Sequence, residues 1–237
     1  VGMLYLMTGT LNIADMAERI AAVRETRPVL AALAFITVGM TLKLALFPLH
    51  QWLPNAYTFA PSVVSAFLAA TATKVSIYVL VRFYFTVFGA SQVFGRLPMG
   101  EVLLVLALLG MFAASTIAIF QPDLRRLFAY SSVAQIGYIV LGISMQSTSG
   151  LSAGLVHVVN HGITKAAVFL LLGMVVMRIG SARLERVRGL GRLMPWTSFG
   201  LVVAGLSLVG VPGTAGFVSK WYLILAALER GQWWLVF

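Results

Sequence analysis

The sequence predicts an all-α protein: a polytopic bundle of transmembrane helices, some of them broken partway across. Three observations predict it. Apolar residues fill 60% of the 237 positions and charged residues only 10%, against about 25% charged in a soluble domain, and the mean hydropathy is +0.95. Several apolar runs reach the roughly 20 residues needed to cross about 30 Å of hydrocarbon, whereas a membrane barrel would show alternating segments of about ten. The net charge of +10 comes from basic residues in short loops between the runs. That is the positive-inside pattern and not a nucleic-acid patch.

Residues 1–11 read as the tail of a helix and 12–28 as a polar connection. Spans follow at 29–49, 61–88, 101–121, 127–145, 151–177 and 197–219, with another beginning near 221. Glu101 opens its span, where an acid suits the positive end of the helix. Asp123 with Arg125 and Arg126 reads as an ion cluster in the loop before the next one. The longest basic loop is "MRIGSARLERVRGLGRLMP", 177–195. His50, with Trp52 and Tyr57 beside it, reads as interfacial, since aromatic residues gather at the headgroup level. The absence of cysteine excludes disulfides, thiolate metal sites and cysteine catalysis. No signal peptide is visible. A chain that starts without Met and ends within "QWWLVF" is expected to be an internal piece of a longer protein.

Loop charges set the orientation. Loops 50–60, 122–126 and 178–195 carry 0, 2 and 5 basic residues, while 12–28, 89–100 and 146–150 carry 3, 1 and 0. The first of the second group also holds Asp15, Glu18 and Glu25. The 178–195 loop is therefore expected in the cytoplasm.

Two spans carry helix breakers. "LKLALFPLHQWLP" has Pro48 and Pro54, and "LVGVPGTAGFVSKWY" has Gly210, Pro212, Gly213 and Gly216. Proline removes an amide donor and clashes with the preceding turn. Such breaks survive in lipid only where protein or a water-filled cavity satisfies the freed backbone groups. A lysine lies near each, Lys43 or Lys220. Paired broken helices point to inverted repeats and a transport site; a packing kink is the alternative.

Four lysines fall at membrane depth: Lys43, Lys74, Lys165 and Lys220. Lys74 and Lys165 are central in their spans, too deep for the stem to bring the charge to the interface. At roughly 2.5–3.5 kcal/mol per central lysine, four cost on the order of 10 kcal/mol, comparable with the ~5–15 kcal/mol stability of a whole domain. They are not there for stability, and they should face the bundle interior. His157, His161 and Lys165 stand four residues apart, on one face of a helix. An ammonium held out of water exchanges its proton more readily than one in water, and histidine exchanges near neutrality. A row of such groups is a proton relay. Metal binding through the His pair is a second reading, opposed by the adjacent ammonium and by the lack of a carboxylate on that helix. Hydrogen bonding of the imidazoles to neighbouring helices is a third. No cofactor site is read: no Gly-rich phosphate loop follows a strand.

"KLALFPLHQWLPNAYTFAPSVVSAFLAATATKVSIYVLVR", "PDLRRLFAYSSVAQIGYIVLGI", "GLVHVVNHGITKAAVFLLLG" and "GVPGTAGFVSKWYL", in this order, resemble the antiporter-like subunits shared by respiratory complex I and Mrp-type Na+/H+ antiporters. "WLPNAYTFAP", "ATKVSIYVLVRF" and "SKWYL" resemble the Mrp D-type subunit most; complex I relatives often have Asp at Asn55. The resemblance implies about fourteen helices in two inverted five-helix repeats, each with a broken helix. Residues 1–88 would be the end of the first repeat and 101–237 most of the second. It implies that Lys43 is the broken-helix lysine of the first repeat and Lys74 the lysine of the next helix. His157, His161 and Lys165 would form the central relay of the second repeat, with Lys220 its broken-helix lysine. The family's glutamate lies upstream of this stretch, and Ala69 stands where some relatives carry a histidine.

The resulting expectation is a multi-pass protein of the plasma membrane that moves protons, and possibly Na+, within a hetero-oligomeric antiporter. The partners are other membrane subunits and the lipid bilayer. An antiporter-like component of complex I or of a membrane-bound hydrogenase is the first alternative, which would make it part of a redox-driven translocase. A non-transporting scaffold with static lysines and an intramembrane zinc enzyme are the others.

Overall fold

The computed structural model describes residues 1–236. The chain is helical nearly throughout, in the order α1 Gly2–Thr8, α2 Ile13–Val23, α3 Arg27–Leu44, α4 Trp52–Phe59, α5 Ser62–Val81, α6 Met99–Ile119, α7 Leu124–Ser144, α8 Thr148–Ile179, α9 Leu190–Leu193, α10 Pro195–Val209 and α11 Ala215–Glu229. π-helical turns follow α5 at Arg82–Val87 and Ser91–Arg96, and a 3₁₀ turn spans Trp233–Val236. Among the described residues, five helices are long and apolar enough to cross a membrane: α3, α5 with its π turn, α6, α7 and α8. The protein is a polytopic membrane protein.

Local chemistry sets the ends. Asp123 caps α7 by accepting the Arg125 and Arg126 amides at 2.8 and 3.3 Å. It is a helix cap, and the ion cluster read from the sequence does not form: the Arg125 guanidinium instead donates to the Ser62 hydroxyl at 2.6 Å and the Thr58 carbonyl. Ser147 caps α8 through the Gly150 amide at 3.0 Å, and Gly180, left-handed at φ 78°, ends it. The polar connection 12–28 holds a helix that the sequence reading missed. Asn12 caps α2, and Met16 and Ile20 are its buried face.

Both expected breaks are present, and the structure moves their edges. The span read as 29–49 stops at Leu44, where Ala45 turns left-handed at φ 64°, and α4 resumes at Trp52. The spans read as 197–219 and from 221 are one interrupted element: α10 ends at Val209, capped by left-handed Gly210, and α11 runs unbroken from Ala215 through Lys220.

Helix α7 is the most enclosed span; it packs on α4, α6 and α8, while α8 also meets α5, α10 and α11. Small residues bring these backbones together, as expected where lipid is as apolar as the side chains. A side chain on Gly142 of α7 would meet the Gly150 carbonyl of α8 at 2.6 Å. One on Gly162 of α8 would meet the Ala70 carbonyl of α5 at 3.1 Å.

Candidate functional site

The polar face of α8 is turned inward. Lys165 is 0% exposed and His157 and His161 are each 2% exposed. Lys165 Nζ donates to the Phe128 carbonyl at 2.7 Å and the Ser131 hydroxyl at 2.5 Å, both on α7, and lies 5.4 Å from the centre of the Phe128 ring. His157 Nε2 meets Gln135 Oε1 of α7 at 2.9 Å, and its Nδ1 meets Ser219 Oγ of α11 at 2.8 Å. The His161 ring stacks parallel to that of His157, centroids 6.1 Å apart, and both its nitrogens are buried without a partner. Two parallel rings do not aim at one ion, and both His157 nitrogens are engaged, so this pair is not arranged as a metal site.

Lys220 is held by the break. A helix end leaves its last four carbonyls unpaired and carries partial negative charge. The Lys220 ammonium donates to two such carbonyls of α10, Leu208 at 2.9 Å and Val209 at 3.1 Å, and sits 4.3 Å above the Tyr138 ring. Gly210 permits this twice over. Its φ of 89° is costly for other residues, and a Cβ there would lie 2.9 Å from Lys220 Cδ. Gln135 Nε2 reaches the same Leu208 carbonyl at 3.3 Å, which links Lys220 to His157.

Lys74 joins from the other side. It is 7% exposed, its ammonium donates to the Ala69 carbonyl, and its stem crosses Gly162 of α8. Lys74 and Lys165 are both within electrostatic reach of His161. Five of the six expected residues therefore come together, four of them buried and Lys220 half-buried: His157, His161 and Lys165 along α8, Lys220 at the His157 end, and Lys74 beside Gly162, next to His161. Lys43 does not join them. It lies beside the first break but is exposed, and that break is closed instead by the Trp52 indole, donating to the Leu42 carbonyl at 2.8 Å. His50 is buried, 6% exposed, stacked on Phe47 with its edge towards Tyr130. Tyr57 is buried as well. The two ion pairs among the described residues, Arg19–Asp15 and Arg96–Glu25, involve no lysine.

The family model for the transmembrane domain of NADH:quinone oxidoreductase and Mrp antiporters matches residues 1–237. The chain belongs to this family. It is 45% identical over 234 residues to the N subunit of an NADH-quinone oxidoreductase of Desulforudis audaxviator, covering 98% of this chain and 46% of the relative. It is 33% identical over 227 residues to the D-type component of a Na+/H+ antiporter of Alkalihalophilus pseudofirmus, covering 96% and 45%. The solved Mrp complex from Dietzia sp. DQ12-45-1b contains a chain of the same fold, with a TM-score of 0.86 and 32% identity over 98% of this chain and 42% of that one. The chain thus spans about half the length of the relatives it matches.

For this antiporter-like chain, sequence reasoning missed Gln135, Ser219, Ser131, Phe128 and Tyr138. Gln135 had a legible signal, an amide inside an apolar span, which is costly unless bonded. Ser219 and Ser131 had none, because short hydroxyls in membrane helices commonly bond their own backbone. Phe128 contributes a carbonyl and a ring face, which no side-chain pattern encodes.

Proposed function

We propose that the chain is the proton-conducting part of an antiporter-like subunit, passing protons along the membrane midplane through Lys74, Lys165, His161, His157 and Lys220. One observation carries this reading: these groups come together, four buried and Lys220 half-buried, with Gln135 bridging His157 to the carbonyl that holds Lys220 and with no carboxylate pairing any lysine among the described residues. Lys165 is the central carrier, and the histidines pass protons between it and Lys220. Charge on one lysine disfavours charge on the next, so protons advance stepwise. Lys43 serves the first repeat from its exposed position. Five alternating crossings from α3 to α8 would start the two broken elements on opposite sides, which supports two inverted repeats divided between 1–88 and 101–237. The charge bias supports a cytoplasmic 178–195 loop in a plasma-membrane protein.

The partners in this reading are other membrane subunits of a hetero-oligomeric assembly. The wording "WLPNAYTFAP" and "SKWYL" favours an Mrp D-type role with Na+ as the exchanged cation. The higher identity to the oxidoreductase relative than to the antiporter relative, 45% against 33%, favours the second reading, a redox-driven proton pump.

The test uses the full-length parent, assembled with its partners in everted vesicles, with ΔpH followed by a fluorescent dye. Na+ addition probes the first reading and a redox substrate the second. Lys165→Ala and Lys165→Arg should each abolish ΔpH while the complex stays intact on a native gel. Normal ΔpH in the alanine variant would overturn the relay and leave a scaffold.

A further inference from the structure

We propose that the Ser219 hydroxyl is a two-position switch. It donates to His157 Nδ1 when the imidazole is neutral and turns to the Gly216 carbonyl when His157 takes a second proton.

The argument is a count of donors. The Leu208 carbonyl can only accept, so the group of Gln135 facing it at 3.3 Å is the amide nitrogen. Gln135 Oε1 then faces His157 Nε2 at 2.9 Å. That oxygen can also only accept, so Nε2 carries a proton in every state of the ring. Neutral His157 is therefore the Nε2–H tautomer, with a lone pair on Nδ1. The hydrogen in the 2.8 Å contact between Nδ1 and Ser219 Oγ must then come from the serine. Yet Ser219 Oγ also lies 3.1 Å from the Gly216 carbonyl, one turn back along α11. One hydroxyl hydrogen faces two acceptors and serves one at a time. When Nδ1 gains a proton it becomes a donor to Oγ, and the hydroxyl hydrogen is displaced onto Gly216. The atoms balance: one proton arrives on Nδ1, and the serine keeps its own.

The place where this happens gives it meaning. Gly216 lies in the first turn of α11, immediately after the break, and its amide meets Ser207 Oγ of α10 at 3.2 Å. Its carbonyl is the one that the Lys220 amide meets in an α-helix. A proton on His157 is thus reported, through Ser219, to the turn that holds Lys220. The titratable groups around His157 are Lys220 from α11, Tyr138 from α7, Lys74 from α5, and His161 and Lys165 on α8. All are neutral or positive, so the proton count on His157 depends on theirs. The role in transport rests on the relay reading; the hydrogen-bond switch is testable apart from it.

The experiment is solid-state NMR on the full-length parent, assembled and in lipid, with ¹⁵N-histidine and with ¹³C-carbonyl glycine beside ¹⁵N-phenylalanine. The last pair selects Gly216–Phe217, the one Gly-Phe step in these 237 residues. His157→Gln and Phe217→Tyr assign the two signals by their loss. At alkaline pH His157 should show the Nε2–H tautomer. As it gains a proton on acidification, the Gly216 carbonyl signal should move. Ser219→Thr should keep that movement and Ser219→Ala should lose it. An Nδ1–H tautomer at alkaline pH would overturn the proposal, as would a Gly216 movement that survives Ser219→Ala, or a His157 that stays neutral at every pH the complex tolerates. Failure of the relay reading alone would appear differently, as normal ΔpH in the Lys165→Ala variant with these signals intact.

Discussion

Replacing Gly142 with alanine tests whether close backbone packing is what holds the site together. The added methyl would sit 2.6 Å from the Gly150 carbonyl and 3.0 Å from the Gly154 amide, both backbone atoms of α8. Ordinary contact begins at 3.4 Å, so α7 and α8 must separate locally by about 0.8 Å. Moved as rigid rods, they would stretch the 2.9 Å contact between His157 and Gln135 to about 3.7 Å, beyond hydrogen-bonding range. Overpacking of this kind costs about 1–3 kcal/mol, and the higher helix propensity of alanine offsets about 1 kcal/mol. The net expectation is a destabilisation of up to about 2 kcal/mol, towards the upper end because the obstacles are backbone atoms that cannot rotate away. Gly205→Ala is the control. Nothing lies within 4 Å of a Cβ at Gly205, so only propensity acts and stability should hold or rise by up to about 1 kcal/mol. Thermal unfolding of the detergent-solubilised parent, with ΔpH in vesicles, measures both effects. A Gly142→Ala protein that unfolds no earlier than wild type and sustains full ΔpH would refute the reasoning.

Two further outcomes separate the first break from the second. Trp52→Phe keeps the ring but removes the indole donor to the Leu42 carbonyl; it should lower stability by about 1 kcal/mol and leave the NMR signature of His157 unchanged. Lys43→Gln should change stability by less than about 0.5 kcal/mol, since the side chain is exposed and makes no bond here, yet it should lower ΔpH if the first repeat carries protons. Unaltered ΔpH would remove Lys43 from the path.

Much of the site was legible in the residue pattern. The four-residue spacing of His157, His161 and Lys165 placed them on one face whatever the surroundings, and the cost of burying charge in lipid required that face to point inward. Lys74 was legible for the same reason. The breaks were legible as proline and glycine clusters, but not their edges: the turn falls at Ala45 and Gly210 because those residues go left-handed, and the sequence offers no signal that alanine will do so. Lys43 and Lys220 looked equivalent beside their breaks, yet only Lys220 caps the open end of its half-helix. A tryptophan took that place in the first break, which only the fold could bring about.

The sequence by itself determined the all-helical membrane class, the two interrupted spans and the identity of the ionisable groups, because hydropathy, proline chemistry and helical period act locally. Tertiary structure decided what each group touches. Gln135 is 22 residues from His157 and 73 from Leu208, and Ser219 is 62 from His157. Hydrogen bonds over such separations exist only once glycine-lined helices have closed on one another. Those long-range contacts, and not the residue pattern, set which nitrogen of His157 holds its proton.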